Sequence, residues 1–191
     1  MLNLRDIAFG LYGAMQFARL DRSAIQCFEN TPEAFWRSFQ AAIVTLPAYI
    51  LLQLINIADV PINAGPMRIL FVEICAYVVA WVLFPLIMTT ISDTLQRGDK
   101  YYRFIVAWNW AIIPQVFLYL AVTALASSGT LPASMAALLG ICVLAAVLFY
   151  QGFIATCMLD IRPPAAAMIV VVDFAIALLL NQVTRSFYAG G

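Results

Sequence analysis

The sequence predicts an all-α fold: a polytopic membrane bundle of five transmembrane helices, preceded by an N-terminal interfacial amphipathic helix. Hydrophobic residues make up 64% of the 191 residues and charged residues only 10%, whereas soluble domains are about half apolar and a quarter charged. Five apolar stretches each reach the roughly 20 residues that a helical crossing of the bilayer needs. We therefore expect a cytoplasmic interfacial segment over residues 1–34 and a five-helix transmembrane domain over residues 35–191.

The N-terminal segment has helical periodicity. Apolar residues at spacings of three and four share one face, namely Leu4, Ile7, Leu11, Ala14, Met15 and Ala18. Polar residues gather on the opposite face, namely Arg5, Asp6, Gln16 and Arg19. This pattern is typical of a helix that lies flat in the membrane interface. A helix packed against the underside of the bundle explains it equally well, and the two placements are compatible.

The five expected spans follow in order. They run from Phe35 to Ile57, Met67 to Ser92, Tyr101 to Ala126, Leu131 to Cys157 and Pro163 to Thr184. Thr31, Pro32 and Glu33 favour a helix start, so we expect the first helix to begin before it enters lipid. Turn-forming linkers separate the spans, namely Asp59–Pro66, Asp93–Lys100, Ser127–Thr130 and Asp160–Pro164. Three interior prolines predict kinks, namely Pro47, Pro85 and Pro114.

The basic residues predict the orientation, because Lys and Arg in short loops favour the cytoplasm. With the N-terminus inside, the inner set is Arg5, Arg19, Arg22, Arg37, Arg97, Lys100, Arg103 and Arg162. The outer set is only Arg68 and Arg185. We expect a multi-pass protein of a bacterial inner membrane, with a cytoplasmic N-terminus and an outside C-terminus.

Two acids inside the apolar spans are the main candidates for a functional site, because a charged side chain at the bilayer centre costs about 3 kcal/mol. Asp173 lies near the middle of the last span, and Glu73 lies near the outer end of the second. We expect a neutral Asp173 bonded to an amide, and its candidate partners are Asn109, Gln115, Tyr150 and Gln151. For Glu73 the candidates are Gln53, Asn56, Asn181, Gln182 and Arg185. The acids either form part of a proton or cation path or join helices.

Several function classes lack the residues they need. The chain has no histidine and a formal net charge of zero, which argues against a His-based general base and against nucleic-acid binding. We found no metal-ligand, nucleophile-elbow or phosphate-loop motif, so we expect neither an enzyme, nor a cofactor, nor a metal site. The four cysteines form no CxxC pair, and we expect them to pack as small apolar side chains, at Cys27, Cys75, Cys142 and Cys157.

The third span carries a resemblance to a known family. It enters with Tyr101-Tyr102-Arg103-Phe104 and continues as Trp108-Asn109-Trp110-Ala111-Ile112-Ile113-Pro114. Together with the five-span layout, this resembles the Yip family of Ypt/Rab-interacting membrane proteins and its bacterial relatives. Asn109-Trp110 stands where the eukaryotic family has Gly-Tyr, and Leu11-Tyr12-Gly13 only partly matches its Asp-Leu-Tyr-Gly segment. The resemblance implies a non-catalytic bundle that binds other membrane proteins or shapes membranes.

The leading functional hypothesis is therefore an interaction scaffold or accessory subunit of a membrane assembly, with lipids, other membrane proteins or a second copy as partners. Its expected surface is the cytoplasmic patch formed by the N-terminal helix and the loop from Asp93 to Arg103, where the charges are mixed and aromatic residues such as Trp36 and Tyr102 lie nearby. The candidate residues of this surface are Arg19, Arg22, Arg97, Lys100 and Arg103. The alternative is a small transporter or channel subunit with a proton or cation path near Asp173. That alternative predicts a cavity lined by Asn109, Gln115 and Gln151.

Overall fold

The computed structural model describes residues 4–57 and 65–188, and this part of the chain is helical with no strand. The described residues form seven α-helices: α1 Leu4–Ala18, α2 Pro32–Ser38, α3 Gln40–Ile57, α4 Pro66–Thr94, α5 Tyr101–Ser127, α6 Ala133–Leu159 and α7 Pro163–Tyr188. Short 3₁₀ turns at Arg22–Cys27 and Gly98–Lys100 precede α2 and α5.

The predicted five-span bundle is confirmed as a fold. The described residues hold five helical stretches long and apolar enough to cross a membrane: Pro32–Ile57, Pro66–Thr94, Gly98–Ser127, Ala133–Leu159 and Pro163–Tyr188. The first stretch is α2 and α3 together, separated only by a turn at Phe39. Thr31 caps α2 as expected, because its hydroxyl oxygen accepts a hydrogen bond of 3.2 Å from the backbone N–H of Ala34.

Proline and glycine residues mark several helix starts and turns of the chain. Pro66 and Pro163 begin α4 and α7, where their missing N–H has no intrahelical partner to lose. The three interior prolines lie inside uninterrupted helices. Gly129 turns the chain between α5 and α6 with a φ of 72°, a conformation that favours glycine. Of the linker predicted over residues 59–66, positions 59–64 lie outside the described residues.

Helix α5 is the centre of the bundle. Every residue from Phe104 to Ala111 is buried, because α3 and α6 pack on either side of α5 and the short helices α1 and α2 cover it as well. Helix α7 packs on α6 and on α4. Helices α3 and α4 are joined by side chains, since the hydroxyl of Tyr77 donates to the backbone oxygen of Ala42 at 2.6 Å.

The N-terminal helix α1 docks on the bundle through small residues. Gly10, Gly13, Ala14 and Phe17 are its buried positions, and a Cβ at Gly10 would overlap the indole ring of Trp110. Tyr150 of α6 donates a hydrogen bond of 2.8 Å to the backbone oxygen of Ala14. The packed placement considered from the sequence is therefore the one observed. The contact face includes the glycines, while several large apolar residues of α1 remain exposed.

The cysteine prediction needs correction. Cys75 and Cys142 are exposed on the outside of the bundle, and Cys27 and Cys157 are only partly buried. All four are free thiols. The sequence pattern could not separate the two cases, because in a membrane bundle the lipid-facing surface is as apolar as the interior.

Candidate functional site

Asp173 is held by a buried pair of amides. Nε2 of Gln151 in α6 donates to Oδ2 of Asp173 in α7 at 3.1 Å, and also lies 3.2 Å from Oε1 of Gln115 in α5. Gln115 is anchored in turn, since its Nε2 donates to the backbone oxygen of Ala111 at 2.9 Å. Gln115 and Gln151 are 8% and 7% exposed. Three of the predicted polar residues thus form one network that joins α5, α6 and α7.

A cavity of about 200 Å³ lies beside Asp173. Residues of helices α3, α4, α5 and α7 line it. Its polar lining residues are Thr45, Tyr49, Tyr77, Asn109 and Asp173, and its larger apolar ones include Trp81, Phe84 and Trp108. Gln115 and Gln151 do not line it. A cavity thus lies beside Asp173, but of the three amides that the transporter alternative places in its lining only Asn109 reaches it.

Asn109 is placed differently from the sequence expectation. Its Nδ2 donates to the hydroxyl oxygen of Ser38 at 2.8 Å, so it joins α5 to α2 and does not bond Asp173. It is only 2% exposed, and yet it lines the same cavity as Asp173. No hydrogen bond to its Oδ1 is seen among the described residues. The amide oxygen of Asn109 is therefore a second acceptor available at this cavity.

Glu73 is the centre of a second polar cluster, near the N-terminal end of α4. Its Oε2 accepts hydrogen bonds of 2.8 Å from the hydroxyl of Tyr49 and from Nε2 of Gln53, both in α3. Its Oε1 accepts from the hydroxyl of Tyr188 near the end of α7. Of the partners predicted for Glu73, Gln53 does bond it. Arg185 instead donates from Nε to Oδ1 of Asn181 within α7 at 2.8 Å.

A second cavity lies next to the one beside Asp173. It has a volume of about 240 Å³, and its lining includes Gln53, Asn181, Arg185 and Tyr188. It shares Tyr49 and Ala80 with the cavity beside Asp173. A row of polar groups therefore extends from the end of α7 toward Asp173, with Tyr49 between the two cavities.

The predicted basic surface lies at the opposite end of the bundle and is partly neutralised. Nζ of Lys100 lies 3.0 Å and Nη2 of Arg97 lies 3.9 Å from Oδ2 of Asp160. The Lys100 ammonium holds the pKa of the Asp160 carboxyl below its usual range, with a smaller effect of Arg97. Arg103 is half-buried. Arg19 and Arg22 are exposed, so they are the members of the set that present charge to the surroundings.

A large groove at this basic end lies between α1, the 3₁₀ turn at Arg22–Cys27, α2 and α5. Its volume is about 690 Å³, and its lining includes Asp6, Tyr12, Glu29, Arg37 and Trp110. Arg37 crosses it, with Nε 3.4 Å from Oδ2 of Asp6 and Nη2 2.8 Å from Oε2 of Glu29. Charges of both signs therefore meet aromatic side chains in a surface groove that the sequence did not predict.

The sequence reasoning missed several residues of these sites. Tyr49 and Gln53 are four positions apart in one helix and so share a face, which could have linked Tyr49 to Glu73. No comparable signal links Tyr188 to Glu73 or Ser38 to Asn109, because those contacts depend on how different helices pack. Among the described residues, no group of three or more Cys, Asp or Glu side chains is arranged to hold a metal ion.

Comparisons with known proteins add no relative: no family model, no curated protein and no solved structure matches this chain.

Proposed function

We propose that this chain is a non-catalytic integral membrane protein that acts through contacts, as an interaction scaffold or accessory subunit of a membrane assembly. The observation that carries the proposal is the outer face of α1, which we define as Leu4, Phe9, Leu11, Tyr12 and Met15, and of which Phe9 and Tyr12 also line the groove beside α2. All five are exposed, Leu4 to 81%, although the other face of α1 is firmly docked on α5. A helix docked through one face presents its other face as a preformed surface.

The composition of the outer face of α1 favours a protein partner in addition to lipid. Aromatic residues and Met are enriched in the cores of protein interfaces, and this face combines Phe9, Tyr12 and Met15. Its polar groups are already oriented, since Nε2 of Gln16 donates to the hydroxyl of Tyr12 at 2.7 Å and the Arg5 guanidinium lies 5.6 Å from the centre of the Phe9 ring. Preorganised side chains lose little entropy on binding.

The membrane placement is part of the proposal. The basic end carries most of the Lys and Arg residues, so it faces the cytoplasm of a bacterial inner membrane by the positive-inside rule. Trp36, 71% exposed, then lies at the level where aromatic belts occur. In this placement α1 covers the cytoplasmic side of the bundle, where a peripheral or integral partner can reach it. The resemblance to the Yip family is consistent with such a role.

Comparative co-purification tests the proposed function. Cells would express either the wild type or Phe9→Ser/Tyr12→Ser, and the proteins recovered in mild detergent would be quantified by mass spectrometry. Leu138→Ser/Ile141→Ser is the matched control, because those residues are exposed to a similar degree on α6. The proposal expects a partner, or a second copy, that the α1 variant loses and the α6 variant keeps. Equal recovery with all three proteins would contradict it.

The cavity beside Asp173 supports a second candidate function, a small transporter or channel subunit with a proton or cation path. In this role the shared lining residue Tyr49 separates an outer cavity from an inner one. Proton and cation flux into liposomes containing the purified protein tests it. The candidate expects flux above that of empty liposomes, reduced in Asp173→Asn. Flux equal to that of empty liposomes would contradict it.

A further inference from the structure

The cavity beside Asp173 combines one carboxyl group with an unusual share of aromatic rings. Five of its lining residues are aromatic, namely Tyr49, Tyr77, Trp81, Phe84 and Trp108. Four of these rings form two contacting pairs, since the Tyr49 and Tyr77 centroids lie 4.7 Å apart and those of Phe84 and Trp108 4.6 Å, so each ring of a pair has only its other face or an edge left for a ligand. Among the residues that the structure describes, Asp173 is the only charged one in the lining, and no lysine or arginine belongs to it.

We propose that this cavity is a binding site for a small organic ammonium ion of the choline type. Aromatic rings attract a cation within about 6 Å of their centroids, and the attraction reaches about 2 kcal/mol when the cation is desolvated. Cages of several aromatic side chains recognise quaternary ammonium groups for this reason. Here Trp81 and Trp108 supply the ring type that binds cations best.

The charge balance favours a cation over a neutral ligand. Asp173 forms no ion pair with any described residue, and an ionised carboxylate within the membrane is costly unless it is paired. Oδ2 of Asp173 accepts from Gln151, so the carboxylate is already oriented and keeps Oδ1 for a ligand. A bound ammonium group would stabilise the ionised form of this carboxyl group, for which the described residues supply no counter-ion.

The size and donor set favour an organic cation over a bare inorganic one. An inorganic cation such as Ca²⁺ takes several oxygen ligands at about 2.3–2.6 Å. The space of about 200 Å³ is far larger than such an ion, and large apolar residues form much of its boundary. Asn109 is nine-tenths buried, lines the cavity and has an amide oxygen with no partner among the described residues. That oxygen suits the hydroxyl end of a choline-like molecule.

The second cavity marks the direction of entry. It shares Tyr49 and Ala80 with the site and extends toward Arg185 and Tyr188 near the end of α7. Glu73 accepts a hydrogen bond of 2.8 Å from the hydroxyl of Tyr49, so a second carboxyl group lies one hydrogen bond away from the residue that the two cavities share. The inference rests on the second candidate function only in that both use the cavity beside Asp173. It does not depend on the outer face of α1.

Binding of radiolabelled choline to the full chain tests the inference directly. The protein would be placed in nanodiscs whose lipids lack choline, and saturation binding would be measured by scintillation proximity. We expect saturable binding of one choline per chain. Unlabelled tetramethylammonium should compete, whereas the neutral isostere of choline, with carbon in place of nitrogen, should not.

Variants separate the cage from the rest of the bundle. Asp173→Asn and Trp108→Leu should each weaken choline binding about tenfold or more. Trp36→Leu is the matched tryptophan control, since Trp36 lies outside the cavity and is largely exposed, and it should bind like the wild type. Equal weakening in Trp36→Leu would contradict the assignment to this cavity.

The wild-type measurements alone decide the inference if a variant fails to fold. Absence of saturable binding, equal competition by the neutral isostere, or equal competition by Na⁺ at the same concentration would each overturn it. The flux assay distinguishes the second candidate function, because proton or inorganic cation flux without choline binding would retain that function and reject the ammonium site. Choline binding without flux would retain the ammonium site and reject the second candidate function.

Discussion

Nε2 of Gln151 in α6 lies 3.1 Å from Oδ2 of Asp173 in α7, and this hydrogen bond satisfies an intramembrane acid with an amide. A neutral partner was expected at Asp173, because no basic residue of the sequence lies at the same depth. Gln151 also contacts Gln115, so one amide joins three helices. The stability of the bundle therefore depends on a polar group at position 173 more than on its charge.

Two substitutions of Asp173 separate the effect of its hydrogen bond from the effect of its charge. Asp173→Asn should fold and remain monodisperse, because the new amide oxygen can still accept the hydrogen bond from Gln151. Asp173→Leu should lose about 1–3 kcal/mol of stability, since it leaves the buried Gln151 amide without its partner. Thermal unfolding in detergent measures both. A leucine variant as stable as the asparagine variant would show that the hydrogen bond contributes nothing.

The spans and their order were predictable from the sequence, and the partners between spans were not. Runs of apolar residues and their proline and glycine boundaries depend on local physics, so α4, α5 and α7 begin and end close to the expected positions. The pairing of Glu73 with Tyr188 depends on which helices become neighbours, which composition does not encode. The same limit explains why Asn109 bonds Ser38 in place of Asp173.

The docking of α1 was predictable only as one of two alternatives. An apolar stripe containing Leu4, Leu11 and Met15 is equally suited to lipid and to protein, and the structure leaves those three residues exposed. The face that packs contains Gly10 and Gly13, whose lack of a side chain allows close approach. A hydrophobic pattern does not count glycine, which is why the buried face was missed.

Gly10 provides a direct test of that docking. A Cβ at this position would overlap the Trp110 ring, so Gly10→Ala should cost about 1–3 kcal/mol and increase proteolysis of α1. Gly140→Ala is the matched control, because a Cβ there would meet nothing within 4 Å. Equal stability and equal proteolysis of the two variants would mean that α1 is not packed on α5.

Glu73 should hold the end of α7. Its carboxylate accepts from Tyr49, Gln53 and Tyr188, so Glu73→Ala removes three acceptor interactions at once. We expect faster hydrogen exchange in the last turns of α7, with little change in α1. Glu33→Ala is the control, since Glu33 is an exposed glutamate in the first turn of α2 and its substitution removes a carboxylate of the same type away from α7. Unchanged exchange in Glu73→Ala would exclude the anchoring role.

The proposed orientation has its own test. A reporter that is active only outside the cytoplasm should work when fused after Gly191 and fail when inserted beside Gly98. The positive-inside rule predicts this pattern, because the basic set near Arg97 and Lys100 should remain in the cytoplasm. The opposite pattern would place α1 outside and invert the proposed membrane placement.

Contact between the outer face of α1 and a partner protein can be measured by site-specific photocrosslinking. A photoreactive amino acid would replace Phe9, Tyr12 or, as a lipid-facing control, Leu138 in living cells. We expect one discrete protein adduct, of the same mass from positions 9 and 12, and none from position 138. Adducts with lipid alone at all three positions would contradict it.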